Sequence, residues 1–527
     1  MTTPQTHEST AHAEGEEDKG VKKGELRRQL IGIVGGLALA IIVFFIFPAS
    51  SVETVMNSSG ADPDAEYSHL ALRTVAAVTI LMGAWWMTEA LPLAATALIP
   101  LAVFPLAGVG EISDVSSPYA SSTIFLFLGG FLVALSLQRW NVHRRMALMV
   151  VKLVGTSPKR LILGFMISTG FLSMWVSNTA TAVVMLPIGM SVLQLTADTV
   201  GGMKNQKRFA TALMLAIAYS ASIGSLGTLI GTPPNLLLAG YMKETHGIEI
   251  GFAQWMLVGM PMAIIFTFLA WAVLITVFPP EMKQIPGGKE LIDQEIKDMG
   301  PWTAPQIRVA IIFALAAISW VFVPLLIDWQ GWEVGYDDAI VGIIAGLLLF
   351  LLPADSKNGV RLLDWKTANE LPWDVLLLFG GGLSLSAMFT QSGLSLWVGE
   401  MAKGLQVLPL FLLVAVVAAL VLVLTEFTSN TATAATFLPI MGGVAVGIGL
   451  TDAAAINVMI LTVPVALVAT CAFMMPVATP PNAIAYGSGY VTIGEMIKGG
   501  LWLNVIALVL VTLATYFIAV PVFGMVL

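Results

Sequence analysis

Residues 177–188 read SNTATAVVMLPI and residues 429–440 read SNTATAATFLPI, so nine of twelve positions agree across 252 residues. Each copy is followed by a second echo, Gly231-Thr232-Pro233-Pro234-Asn235 and Ala478-Thr479-Pro480-Pro481-Asn482, whose Asn lies 57 and 52 residues after the Asn of the first motif. Two motifs recurring in the same order mark an internal repeat. A single Ser-Asn-Thr in an apolar helix is ordinarily interhelical glue, with hydrogen bonds of about 0.6 kcal/mol on average, and a single Pro-Pro pair is ordinarily a kink. Recurrence at matched distance favours a binding turn at both places.

The surroundings of the repeat are membrane-like. Of the 527 residues, 57% are hydrophobic and 11% charged, against about 25% charged in an average soluble domain. A soluble globule is excluded. Residues 29–48, 91–110, 256–278 and 501–520 are almost free of charge, and each run is long enough to cross a bilayer as a helix. The first run follows a polar tail and lacks a short apolar core with a small-residue cleavage site, so it reads as a span and not a signal peptide. With Cys471 the single cysteine, no internal disulfide can form.

Net charge is -8, but in a membrane protein the placement of Lys and Arg decides orientation. The tail carries Lys19, Lys22, Lys23, Arg27 and Arg28, while residues 50–68 hold no Lys or Arg. The N-terminus is therefore expected in the cytoplasm. Connections near 139–160, 204–208, 283–308 and 357–366 are basic, and those near 109–119, 327–337 and 447–455 contain neither Lys nor Arg. Alternation is satisfied by eleven crossings with the C-terminus outside, provided two apolar stretches enter and leave by the same face as re-entrant hairpins. Five crossings lie between the SNT copies, and an odd number inverts the second copy. That arrangement places a binding site near the midplane, between repeats.

The motif residues suit irregular backbone inside a membrane. A Pro-Pro pair removes two amide donors and restricts the residue before it, so helices over 209–242 and 456–489 must break there. Freed backbone groups are tolerated where they face a protein-lined cavity. Broken ends leave carbonyls for a cation and helix N-termini for an anion, and the Ser, Asn and Thr side chains add neutral donors and acceptors.

At these positions the sequence resembles the divalent anion:sodium symporter family, whose hairpin tips carry SNT and whose broken helices carry a TPPN-like turn. The run 85–93, WWMTEALPL, and Thr425-Glu426-Phe427-Thr428 are similar to that family too. The resemblance covers nearly the whole chain from about residue 29. It implies an all-helical transporter of the elevator type, a homodimer in the plasma (inner) membrane, with dianions as cargo: chiefly C4-dicarboxylates, with citrate or sulfate in some branches. The polar tail (1–28) lies outside the resemblance and has the composition of a disordered cytoplasmic segment; the rest divides into a first scaffold segment (29–157), a first transport repeat (158–280), a cytoplasmic connector with a further scaffold segment (281–406) and a second transport repeat (407–527). Carried over residue by residue, the resemblance implies one Na+ site at Ser173, Ser177, Asn178 and Gly231, and its mate at Thr425, Thr428, Asn430 and Ala478. The dianion would meet Ser177, Asn178 and Thr179 from one tip and Ser429, Asn430 and Thr431 from the other, with Thr232, Thr479 and Pro480 completing the pocket. No Lys or Arg falls within either motif, so charge balance in the pocket would depend on bound sodium, which is the physical origin of symport.

Other readings are weaker. No phosphate-binding loop of the G-x-x-x-x-G-K-[ST] type accompanies the spans, against an ATP-driven pump. The five histidines sit in no apolar span centre, against an intramembrane enzyme. An anion channel and a sodium-independent dicarboxylate exchanger stay open. Glu89 and Glu426 are ionisable residues at membrane depth, expected to partner backbone amides or a basic residue. Arg73 is expected at the outer interface, His143 in a solvated connector, Trp85, Trp86, Trp329 and Trp332 as interfacial anchors, and Cys471 as a packing residue.

Overall fold

A helix satisfies its own backbone polar groups, so uncharged runs of Leu, Ile, Val, Ala and Phe that must lie in hydrocarbon fold as helices. The computed structural model describes residues 8–527 apart from 59, 60, 156, 286, 333 and 452–454. Among the described residues eight helices are long and apolar enough to cross a membrane: Leu26–Ile46, His69–Thr88, Ile112–Arg139, Asn178–Ala197, Phe252–Val277, Ala304–Ile327, Trp373–Gln391 and Ile493–Phe523. Shorter apolar helices accompany them at Leu93–Leu106, Asp338–Leu351, Leu410–Thr425 and Ala455–Ala469. The chain is a polytopic helical membrane protein. Strand structure is confined, among the described residues, to the antiparallel pair Pro353–Asp355 and Val360–Arg361.

Burial separates core from periphery. In an apolar 18-residue stretch of Leu26–Ile46 and of Ala304–Ile327 only 17% and 22% is buried, against 72% in such a stretch of Ile112–Arg139. The first two present apolar side chains such as Ile41, Phe45, Ile311 and Phe322 outward.

Two helical pairs flank the motifs. Pro158–Ser173 and Asn178–Val200 meet at a short turn, as do Leu410–Thr425 and Asn430–Gly447. Two helices are broken. Lys207–Ser225 resumes as Pro233–His246 after an irregular stretch, and Met459–Ala469 gives way to Pro480–Gly487. Pro233 and Pro480 stand at the first helical position, where a missing N–H costs nothing because no intrahelical acceptor exists for it.

Several expectations need correcting. The first helix runs Glu8–Ile46, so a tail expected to be disordered through residue 28 is helical from Glu8. Its Glu, Lys and Ala are good helix formers and extend a helix already nucleated by the span. Residues 1–7 lie outside the described residues. His143 is buried, not solvated, and its Nδ1 lies 2.8 Å from the Leu137 carbonyl; burial lowers its pKa below the usual imidazole value. The connector around it is ordered because helix Val142–Val154 packs on Gly288–Asp298 through Arg144–Glu295 and Lys152–Asp293 ion pairs, both 2.7 Å. Trp86 is fully buried, its Nε1 donating to the Leu93 carbonyl at 3.1 Å, and is no interfacial anchor. Trp329 and Trp332 are exposed and Cys471 is buried.

Candidate functional site

The two SNT tips are built alike. Ser173 Oγ donates to Asn178 Oδ1 at 2.7 Å, and Thr425 Oγ1 reaches Asn430 Oδ1 at 2.8 Å, each across five residues. The last residue of one helix thereby holds the Asn that opens the next. Ser177 caps Asn178–Val200, its Oγ accepting from the Ala180 amide at 3.3 Å; Ser429 makes no such side-chain bond. Ser173 and Thr425 are fully buried, behind the tips. Thr428 turns from the tip, its Oγ1 donating to the Leu424 carbonyl at 2.9 Å and lying 2.6 Å from Thr433 Oγ1.

The broken helices are held by the Asn of the second motif. Asn235 Nδ2 donates to the carbonyls of Ser225 and Thr228 at 3.3 and 2.9 Å, and Asn482 Nδ2 to those of Ala472 and Met475, both at 3.1 Å. Both Asn side chains are fully buried, and each Oδ1 lacks a hydrogen-bond partner. Thr232 and Thr470 bring the two turns together with their Oγ1 atoms 3.4 Å apart. Gly231 is needed sterically, since a Cβ there would clash with the Ser225 carbonyl oxygen.

Glu426 closes the second turn. Its carboxylate accepts from the amides of Phe473, Met474 and Met475 at 2.8 to 3.2 Å and from Asn504 Nδ2 at 2.6 Å. Successive N–H groups converging on one anion form a nest that offsets the cost of burying it. Glu89, by contrast, is half-exposed, adopts the left-handed backbone region at φ 50° and pairs with Arg28 at 3.1 Å. Both carboxylates thus take the partners expected of them: amides for one, a basic residue for the other.

Tips and turns converge on one cavity of about 790 Å³. Ser177, Asn178, Thr179, Thr232, Ser429, Asn430, Thr431, Thr479 and Pro480 all line it, as do Gly231 and Ala478. Ser173, Thr425 and Thr428 stand outside the lining. No Lys or Arg belongs to the wall among the described residues, and Phe127, Phe131 and Leu378 also line it. Exposed Glu89, Glu370 and Asp374 also border the cavity, so it reaches solvent on the face that carries Arg28. Glu370, Asp374, Ser225, Thr470 and Asn504 escape sequence reasoning because they belong to neither repeated motif. The roles of Asn235 and Asn482 were open to detection, since both complete the duplicated PPN.

A family model described as the sodium:sulfate symporter transmembrane region matches residues 63–524. The chain belongs to this divalent anion:sodium symporter family. Members of the family are transporters, not enzymes, and the chain is one of them. The sodium-dependent dicarboxylate transporter SdcS of Staphylococcus saprophyticus is 39% identical over 501 residues, 94% of this chain and 92% of that protein. Its namesake in Staphylococcus aureus strain USA300 is 42% identical over 457 residues, 85% and 86% of the two chains. Among solved structures, MtrF of Neisseria gonorrhoeae is similar in fold with a TM-score of 0.55 at 12% identity, covering 92% of this chain and 95% of that one. The YdaH transporter of Alcanivorax borkumensis scores 0.51 at 16% identity, covering 83% and 97%. These two likenesses concern the fold alone.

Proposed function

We propose that this family member is a sodium-coupled symporter that imports C4-dicarboxylates such as succinate, fumarate and malate. The observation that carries the reading is the meeting of both SNT tips and both TPPN-type turns on one cavity, where they present neutral oxygens and no Lys or Arg lines the wall among the described residues. Hydroxyl, amide and carbonyl oxygens suit a hard cation; sodium is assigned to Ser173, Ser177, Asn178 and Gly231 in one half, and to Thr425, Thr428, Asn430 and Ala478 in the other. Two facing sets of neutral donors suit an anion charged at both ends. Bound sodium then supplies the positive charge that the wall lacks, which couples the two ligands. The names of the staphylococcal relatives support sodium dependence and a dicarboxylate cargo.

In this reading the chain crosses the membrane eleven times, carries two re-entrant hairpins in an inverted repeat, and works as a homodimer whose transport repeats (158–280 and 407–527) move as an elevator against the scaffold. The N-terminus is cytoplasmic and the C-terminus outside. Because the cavity reaches solvent beside Glu89 and Arg28, the conformation described is open to the cytoplasm. Uptake of labelled succinate into proteoliposomes tests the function, with sodium, potassium or internal dicarboxylate as the sole driving force. Accumulation driven by sodium is expected. Uptake unchanged when choline replaces sodium would transfer the assignment to an exchanger, and displacement of succinate by equal sulfate would remove the dicarboxylate preference.

A further inference from the structure

Helix His69–Thr88 ends beside the central cavity, and its other half lines a second, apolar hollow. This groove, about 440 Å³, is walled by Phe47, Ile80, Phe389, Trp397 and Ile440 among others. Its one hydroxyl, Thr79 Oγ1, is spent on the Val75 carbonyl at 2.8 Å. Apart from the Trp397 indole N–H the lining side chains are apolar or satisfied, so the contents are held mainly by dispersion and exclusion of water, the terms that hold hydrocarbon. One wall is the end of the first span, where Phe45 and Ile46 are 76% and 71% exposed, so the groove opens sideways to the lipid phase.

Arg73 stands at the head of this groove. It precedes the lining residues Ala76 and Ile80 by three and seven positions, a spacing that shares one helix face. Its guanidinium lies 4.3 Å from the centroid of the Phe44 ring, and its Nε is buried without a hydrogen-bond partner. Among the described residues no carboxylate pairs with it. A guanidinium left unpaired beside hydrocarbon is costly, and its planar fork matches a phosphate.

We propose that the groove holds one anionic glycerophospholipid, its acyl chain lying between Ile80, Trp397 and Ile440 and its phosphate accepting from Arg73. Charge complementarity selects this occupant. A second copy of the chain could fill the groove with side chains but would leave the cation unanswered unless it also delivered a carboxylate. Ile440 belongs to the helix opened by the second SNT tip, while Ile46 and Ile80 belong to the first two spans, so the lipid bridges the site-bearing hairpin and the N-terminal helices.

Photolabelling of the full-length protein in phosphatidylcholine vesicles, using phosphatidylglycerol with a diazirine on its acyl chain, tests the assignment. Adducts are expected on residues 43–48, 76–80 and 394–398. Arg73→Gln should lower this labelling about fivefold, the loss of one basic residue against an anionic lipid, while Arg73→Lys retains most of it. Ile80→Trp, which fills the groove, should remove the adducts. Adducts spread evenly over lipid-facing helices, labelling unchanged in Arg73→Gln, or crosslinking of Ile80→Cys between two copies would each overturn the proposal. If neither Arg73→Gln nor Ile80→Trp folds, competition on the parent protein decides. Unlabelled phosphatidylglycerol should displace the probe better than phosphatidylcholine, and equal displacement would count against the assignment.

Discussion

At the first helix break Asn235 ties down carbonyls ten and seven residues before it, and at the second Asn482 does the same at identical offsets. The backbone between is closed differently. In the first turn the amides of Leu226 and Gly227 reach the carbonyls of Ile223 and Gly224 at 3.3 and 2.9 Å. Thr228 Oγ1 then donates to the carbonyl of Met174, beside the first tip. In the second turn the matching amides of Phe473, Met474 and Met475 turn instead to Glu426, which occupies the position of Met174 in its own hairpin. A hydroxyl-to-carbonyl bond in one repeat is replaced by a carboxylate collecting amides in the other. Atoms aimed at the cavity kept the duplicated plan, while those behind it diverged, because any acceptor that satisfies the loose amides closes the turn equally well.

The comparison can be broken most decisively at the tips. Asn178 and Asn430 each serve a cation site and the substrate in the proposed scheme, so Asn178→Ala and Asn430→Ala should each abolish sodium-driven succinate uptake in folded protein. Substantial uptake by one of them would show that the halves are unequal at the site itself. Next in size is Glu426. Glu426→Ala strands three backbone amides, one buried and two partly buried, and the buried Asn504 amide, at about 1–3 kcal/mol for each unsatisfied donor that water cannot reach, so a large fall in thermal stability is expected. Met174→Ala, at the matching position, keeps its carbonyl and should lose only packing. Equal melting temperatures for the two variants would remove the asymmetry.

Asn235→Leu and Asn482→Leu test the shared feature. Each removes two bonds to backbone carbonyls, about 1 kcal/mol apiece, and the two losses of stability should agree within error. The smallest effects belong to the hydroxyls behind the tips. Ser173→Ala and Thr425→Ala should each raise the sodium concentration for half-maximal uptake by roughly fivefold or less, the equivalent of one neutral hydrogen bond. Thr425→Ala should do more, because its hydroxyl also lies 2.6 Å from the Ala469 carbonyl. A larger effect at Ser173 would reverse the order.

Much of the candidate site was legible beforehand, since a duplicated motif names its own members. All nine residues expected to meet the dianion border one cavity, and Ser173 and Thr425 hold the two Asn side chains from behind. Thr428 was less accessible to this reasoning, because its hydroxyl is taken up by the Leu424 carbonyl and Thr433 and it stands outside the cavity lining. His143 and Trp86 were misjudged for a different reason: their neighbours on the chain are basic or interfacial, but burial depends on what packs over them from elsewhere.

By itself the sequence determined the helical membrane class, the paired tips and the two breaks. Those are consequences of local chemistry: uncharged length demands a helix in hydrocarbon, and a Pro pair ends one wherever it stands. Tertiary structure alone decided that Glu426 would gather amides 47 to 49 residues away, that Thr232 would meet Thr470 across 238 residues, and that Glu89, Glu370 and Asp374 would border the same cavity. Such contacts depend on how packed helices bring distant residues together, and side-chain reach along one helix carries no information about which other helix will lie beside it.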